Sequence, residues 1–299
     1  MKSGERQVLI PGGQGRLARA LSAATWPQGW RLAMVGRADL DITNARAVTA
    51  WVREHRPALI VNAAAYTSVD PAESEKEAAF AVNAAGAGNL AEAAAATDAD
   101  LIHVSTDFVF DGRLGRPYVE TDATAPLNIY GDSKLEGERR VLERHPQALV
   151  LRTAWLLGGQ GDSFIDAILK RAARGQALRV VSDQIGNPTD VNDLARAIVI
   201  AGERLARRAT SQQLYHVAGS EAATWHEIAE AAVQAWARQS RETPPRVTAI
   251  TTPDWPCPAQ RPQDSRLDSS AFARDFGVVV PGWRDHVADW AAESTGAKR

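Results

Sequence analysis

The chain carries one cysteine, Cys257, in 299 residues. That excludes an internal disulfide and argues against a cysteine-based structural metal site. No apolar run reaches the roughly 18 residues that a membrane-spanning helix needs. The opening MKSGERQVLI lacks a long apolar stretch and passes straight into what reads as a core strand, so no signal peptide is expected. Charge of one sign is also missing: 34 Lys and Arg stand against 36 Asp and Glu, a formal net charge of −2. No broad field therefore draws the chain to nucleic acid or to a membrane, although local basic sites remain open. The six histidines are scattered without metal-ligand spacing, so no metal site is assigned. What is left is 45% hydrophobic and 23% charged, the balance of a soluble globular chain with room for a large core or two modest domains. A cytoplasmic enzyme or binding protein fits these exclusions.

Gln7 to Pro11 reads as a short buried strand, followed at once by Gly12-Gly13-Gln14-Gly15-Arg16-Leu17-Ala18. Leu17, Ala20, Leu21 and Ala24 then recur at helical spacing. Strand, glycine turn, helix is the context in which such a turn holds a dinucleotide. Gly12 permits the tight turn, Gly15 lets a pyrophosphate approach the backbone, and Ala18 keeps the helix close to the sheet. A second strand, Arg31 to Val35, ends at Gly36-Arg37, where this topology meets the adenosine ribose. An arginine there, in place of an acid, favours a 2′-phosphate and hence NADPH; a solvated loop arginine is the alternative, and NADH stays open as a second donor. Asp41 either accepts bonds from adenine or caps its own turn.

A third strand, Ala58 to Asn62, leads into Ala63-Ala64-Ala65, whose small side chains admit either a flat ring or a tightly packed helix. Leu101 to Val104 ends in Ser105-Thr106-Asp107, at the edge where open α/β sheets bind ligands. Hydroxyls there can polarise a substrate carbonyl or tie down their own turn. Phe108 to Phe110, Asp111-Gly112 and Pro117 read as an ordered surface loop. Tyr130 and Lys134 follow, four apart and so on one helix face. A phenol of ordinary pKa near ~10 is a poor acid at neutral pH, and an ammonium beside it favours the phenolate. Such a pair gives a proton to a carbonyl oxygen or takes one from an alcohol.

Leu149 to Leu151 reads as a sixth strand, running into Trp155. Beyond it, Phe164, Ile168 and Leu169 form a helix stripe, Leu178 to Val181 a strand, and Thr224 with Glu227 a capping box. The proline-rich run Pro253 to Pro262 is an ordered cleft lip or a tethering loop. Arg261 and Arg266 either pair with a nucleoside diphosphate or make salt bridges to Asp264 or Asp268. The expected fold class is α/β: a Rossmann-type doubly wound parallel sheet over residues 1–150, with later strands returning to it. A smaller C-terminal substrate-binding lobe is expected over most of 155–295.

Specific stretches carry a resemblance. They run from Gly12-Gly13-Gln14-Gly15 through Val61-Asn62-Ala63-Ala64-Ala65 and Ser105-Thr106-Asp107-Phe108-Val109-Phe110-Asp111-Gly112 to Pro126-Leu127-Asn128-x-Tyr130-Gly131. Lys134-Leu135-x-Gly137-Glu138, Arg152-Thr153-x-Trp155, Asp183-Gln184-x-Gly186-x-Pro188-Thr189, Thr224-Trp225 and Arg261-Pro262-x-x-Ser265-Arg266-Leu267 extend it over nearly the whole chain. Together they resemble the extended short-chain dehydrogenase/reductases and, within them, the dTDP-4-dehydrorhamnose reductase family. The resemblance implies Tyr130 as proton donor, Lys134 as its helper and ribose anchor, and Thr106 as the carbonyl-binding hydroxyl. It places Gly12, Gly15, Arg16, Leu17, Arg37, Asp41, Ile42, Ala63, Ala64, Ala65 and Thr67 around an NADPH cofactor, with Tyr130 and Lys134. Val69, Asp107 and Trp155 would lie near a dTDP-linked 4-keto-6-deoxy sugar, with Arg261 and Arg266 toward its diphosphate. Phe108 departs from the family's usual tyrosine and Ile185 from its usual aromatic, which bears on sugar contacts. A monomer or homodimer is expected; the Mg2+-assisted dimer of some members is not assigned here. Another nucleotide-sugar reductase or epimerase, or a regulatory protein of this fold resembling the beta subunit of methionine adenosyltransferase, are the alternatives.

Overall fold

A computed structural model describes residues 5–159, 163–207 and 212–294. Five strands, β1 (Arg6–Pro11), β2 (Trp30–Val35), β3 (Leu59–Asn62), β4 (Asp100–Thr106) and β5 (Leu149–Thr153), form one sheet with the edge strand Leu214–His216. The spatial order is edge strand, β5, β4, β3, β1, β2, and every pairing is parallel. Such a sheet is covered by helices on both faces, so its strands must be apolar at nearly every position. β1 illustrates it: Val8 and Ile10 enter one core with Leu21 and Ile198, while Leu9 enters the opposite core with Val52, Ile60 and Leu90. The helix Val191–Ala206, late in the chain, packs on the first face beside helix Arg16–Ala23.

The spatial strand order reverses between β1 and β3, and in such sheets this switch point marks a crevice at the carboxyl ends of the strands. The smaller lobe is built from helices Phe164–Ala172, Trp225–Ser240 and Val287–Ser294, with strand Leu178–Val181 paired in parallel to Val247–Ile250. Its separate core includes Leu169, Leu178, Ile228, Trp236, Trp283 and Trp290. Ser163 and Thr224 each start a lobe helix with a capping box, as the Thr224 to Glu227 spacing predicts.

Two expectations are corrected. The strand ending before Trp155 is the fifth, since no strand separates Thr106 from Leu149. The stretch from Phe108 to Pro117 is not wholly a surface loop: Val109 and Phe110 are fully buried in a small core with Tyr118, Leu135 and Leu267. Among the described residues, no helix is long and apolar enough to cross a membrane.

Candidate active site

The helix Ile129–Arg144 starts where Asn128 accepts a hydrogen bond from the Gly131 amide, which ends its non-helical approach with an N-cap. Its first turn presses on the short turn after β4. A Cβ on Gly131 would lie 2.3 Å from the Phe108 carbonyl oxygen, so only glycine allows the approach. Tyr130, partly buried, meets Phe108 edge to face with ring centroids 5.6 Å apart. Thr106 sits at the end of β4; its hydroxyl donates to Asp107 Oδ1 at 3.0 Å and accepts from the Phe108 amide at 3.3 Å. One turn along, Lys134 is 2% exposed and its Nζ donates to the Val104 carbonyl at 2.6 Å. The fold therefore gathers Thr106, Tyr130 and Lys134 at one strand end.

Burial governs their protonation. The Tyr130 phenol is pushed up to about 12 by burial, against the pull of the Thr106 hydroxyl and with the Asp107 charge adding to the rise. Burial thus outweighs the Thr106 hydroxyl bond that eases this phenol, and the phenol keeps its proton at neutral pH. Lys134 is brought down to about 8 by burial, opposed by the Glu138 carboxylate. Asp107, 2% exposed, is pushed up to about 6 by burial, opposed by the Ser265 and Thr106 hydroxyls. His103, on β4 beneath Lys134, is held well below the usual imidazole range by burial and by the Lys134 charge.

The glycine turn closes against the strand-end alanines. Gly12 has φ of 79°, and a Cβ there would sit 2.8 Å from Ala64 Cα. Gly15 precedes a helix whose start has no side-chain cap, leaving its first amides to a ligand or water. Arg16 is part-buried and donates to the Leu156 carbonyl at 3.2 Å, bridging turn and lobe. Arg37 is well exposed and pairs with Asp41 at 3.3 Å. Asp41 also accepts from the Thr43 amide and hydroxyl at 3.0 and 2.8 Å, the turn-capping alternative. Leu17 and Ile42 put their side chains into the two sheet cores, Ala63, Ala64 and Ala65 stay partly accessible, and Thr67 is exposed.

On the lobe side, Trp155 stands just after β5 at φ of 44°, a conformation bulky residues rarely adopt. Its ring stacks on Trp225 at 3.9 Å and 8°. Val69 opens the short helix Val69–Ala72, whose Asp70 takes a bidentate bond from Arg261 at 3.0 and 2.9 Å. Arg266 is likewise bidentate to Asp264. Both arginines are thus held by carboxylates, Arg266 by one the sequence names and Arg261 by one it does not. Clefts of about 770 and 580 Å3 flank Arg261, neither lined by Thr106, Tyr130 or Lys134. The proline-rich run forms a wall of the smaller one, from Pro253 to Arg261, opposite Phe164 and Trp225.

Several polar residues packed into this site have no role assigned from sequence, although the motifs above contain Glu138 and Arg152. Asn83, in a π-helical turn, donates to Ser133 Oγ at 2.9 Å and holds the Tyr66 backbone at both its amide and carbonyl. Glu138 and Arg152 form a buried ion pair at 2.7 Å. The available signal was a charged or polar residue inside an otherwise apolar strand, as at His103 and Arg152. Asp190, Asp193 and His286 also converge, a group that sequence spacing hides because His286 comes from a distant segment.

A parallel sheet with a glycine turn at its switch point, and a Tyr-x-x-x-Lys helix beside a strand-end threonine, define an extended short-chain dehydrogenase/reductase. The family model described as the RmlD substrate binding domain matches residues 6–295. A dTDP-4-dehydrorhamnose reductase of Aggregatibacter actinomycetemcomitans is 39% identical, covering 93% of this chain and 96% of that protein. Crystal structures of dTDP-4-dehydrorhamnose reductases from Clostridium acetobutylicum and from Bacillus anthracis, the latter with NADP, each superpose with a TM-score of 0.89. They are 31% and 32% identical, and each match covers 97% of this chain and 99% of the other. The chain belongs to the dTDP-4-dehydrorhamnose reductase family, oxidoreductases of nucleotide sugars with an NAD(P)-binding fold.

Proposed function

We propose that this protein reduces the C4 ketone of dTDP-4-dehydro-L-rhamnose to dTDP-L-rhamnose, with NADPH as donor. The observation that carries the reading is the gathering of Thr106 and Tyr130 at the carboxyl end of β4, with Lys134 buried one turn away and bonded to the Val104 carbonyl. We assign residues 1–150 mainly to the cofactor and most of 155–295 to the sugar nucleotide.

The residues suit a dinucleotide. The uncapped helix start after Gly15 offers amides to a pyrophosphate, and a Cβ on Gly15 would have only the Gly12 carbonyl oxygen within 4 Å. Arg37 is exposed at the end of β2, where a guanidinium recognises a 2′-phosphate. A dinucleotide held by these residues would supply hydride for C4 from its reduced nicotinamide. Thr106 donates to the ketone oxygen and Tyr130 gives it the proton. A phenol near 12 keeps that proton at neutral pH until charge develops on the oxygen. The phenolate left behind is stabilised by the Lys134 ammonium, the one Thr106 proton being engaged by the substrate oxygen. Val69, Asp107 and Trp155 would line the sugar, while Arg261 and Arg266 reach a diphosphate only by exchanging or sharing their carboxylate partners.

The test is a coupled assay from dTDP-4-dehydro-6-deoxy-glucose plus the 3,5-epimerase, following NADPH oxidation and identifying the product by mass and NMR. dTDP-L-rhamnose is expected. Oxidation with another keto sugar alone would discard the substrate; no oxidation by a folded protein that binds a protein partner would discard the enzyme.

A further inference from the structure

The buried group most closely tied to this site, yet unused by the reaction above, is Glu138. It lies one helical turn beyond Lys134, and the two are 3% and 2% exposed. Side chains four apart on a helix share a face. Glu138 Oε1 accepts from Ser105 Oγ at 2.5 Å and from Arg152 Nε at 2.9 Å, and Oε2 accepts from Arg152 Nη2 at 2.7 Å. Ser105 precedes Thr106 on β4, and Arg152 lies on β5 three residues before Trp155. One carboxylate thus ties the Tyr130 helix to both strand ends that present the candidate site.

A buried ion pair alone is weak evidence for function. What points further is the surroundings of Lys134. Its ammonium donates to a neutral carbonyl, that of Val104. From β4 it faces His103, kept neutral by burial; on its own helix it has the Tyr130 phenol. Asp107, in the turn beyond β4, acts on Tyr130, and the Arg152 cation is engaged by Glu138. Glu138 is the carboxylate whose charge supports the Lys134 ammonium against burial.

We propose that Glu138 is a positioning residue for the reduction: its carboxylate supplies the counter-charge for the buried Lys134 ammonium and, through Ser105 and Arg152, fixes the strand ends bearing Thr106 and Trp155. This rests on the roles given above to Tyr130 and Lys134. The chain has five lysines, so labelling lysine Cε with carbon-13 gives few enough signals to follow Lys134, assigned by its loss in Lys134→Met. A pH titration of that signal in cofactor-free Glu138→Gln should move the midpoint down by about one unit or more, a charge one turn away being removed. Glu138→Asp should keep it within a few tenths of a unit. The basic limb of kcat should shift with the NMR midpoint.

If Glu138→Gln does not fold because Arg152 is left unpaired, Glu138→Gln with Arg152→Gln removes the stranded charge. The repulsion of Lys134 by Arg152 goes with it, so the midpoint should still fall, but by less. An unmoved Lys134 midpoint in a folded variant overturns the proposal, as does a double variant that also fails to fold, which assigns the pair to stability. A moved midpoint in a protein that reduces no dTDP keto sugar leaves the Glu138 to Lys134 coupling standing and removes the activity reading instead.

Discussion

Replacing Lys134 by methionine should make the resting protein more stable at neutral pH while abolishing its chemistry. Lys134 is brought from 10.5 to about 8 by burial. At about 1.4 kcal/mol per pH unit, the folded state bears a penalty of about 3 kcal/mol for keeping the ammonium buried. Between pH 8 and 10.5 the unfolded chain holds this proton and the folded chain does not, so wild-type stability rises with pH across that window. Methionine fills nearly the same volume without charge. It forfeits the bond to the Val104 carbonyl, worth about 1 kcal/mol. The net gain is about 2 kcal/mol below pH 8, shrinking and then reversing by about 1 kcal/mol above 10.5. Urea unfolding of both proteins without cofactor, at intervals from pH 7 to 10.5, measures it. A Lys134→Met protein less stable at pH 7, or a stability gap that does not change with pH, would refute the reasoning.

The Tyr130→Phe protein should fold and bind NADPH but lose about two or more orders of magnitude in kcat, read in the coupled assay. Near-wild-type turnover would remove Tyr130 as the donor. For Arg37→Ala, KM for NADPH should rise while KM for NADH stays nearly constant; equal KM ratios in both proteins would take Arg37 out of cofactor choice. Asp107 is raised from 3.8 to about 6, so the folded chain holds its proton more tightly and stability falls as pH rises from about 4 to 6. Asp107→Asn should therefore gain up to about 3 kcal/mol above pH 6 and little below pH 4, by urea unfolding at pH 4 and 7.5.

The outline of the site was legible because its parts are local. A glycine turn between a strand and a helix, or a tyrosine four residues before a lysine, fixes geometry within one or two turns of chain. What the sequence could not supply was set by contacts between distant segments. Asp70 meets Arg261 across 191 positions, so neither the sequence neighbours nor the family pattern named that pair. Val109 and Phe110 looked like loop residues because their core is made by Tyr118, Leu135 and Leu267 from three other stretches. The protonation states were hidden for the same reason. Adjacency of Tyr130 and Lys134 implies an eased phenol, whereas the depth of the site, which no short window reports, raises it.

That depth connects the stability argument to the chemistry. Lys134 and Arg152 are two buried cations, and Glu138 and Asp107 two buried carboxyls, within one small region at the ends of β4 and β5. Between about pH 6 and 8 the four charges balance; below 6 Asp107 takes up a proton and the group becomes net positive, and above 8 Lys134 loses one and it becomes net negative. A phenolate formed on Tyr130 would find a positive neighbour in Lys134 but a repulsive one in Asp107, whose charge raises the Tyr130 pKa. Protonating Asp107 therefore eases loss of the Tyr130 proton, while deprotonating Lys134 near pH 8 hinders it. Proton donation to a ketone should then be easiest below about pH 6, where both groups hold their protons, and weaken through pH 6 and again through pH 8. In the pH profile of kcat, Asp107→Asn should lose the step near 6 and keep the one near 8, and an unchanged step near 6 would remove Asp107 from the argument. The same buried charges that weaken the fold set the pH interval in which the reaction runs.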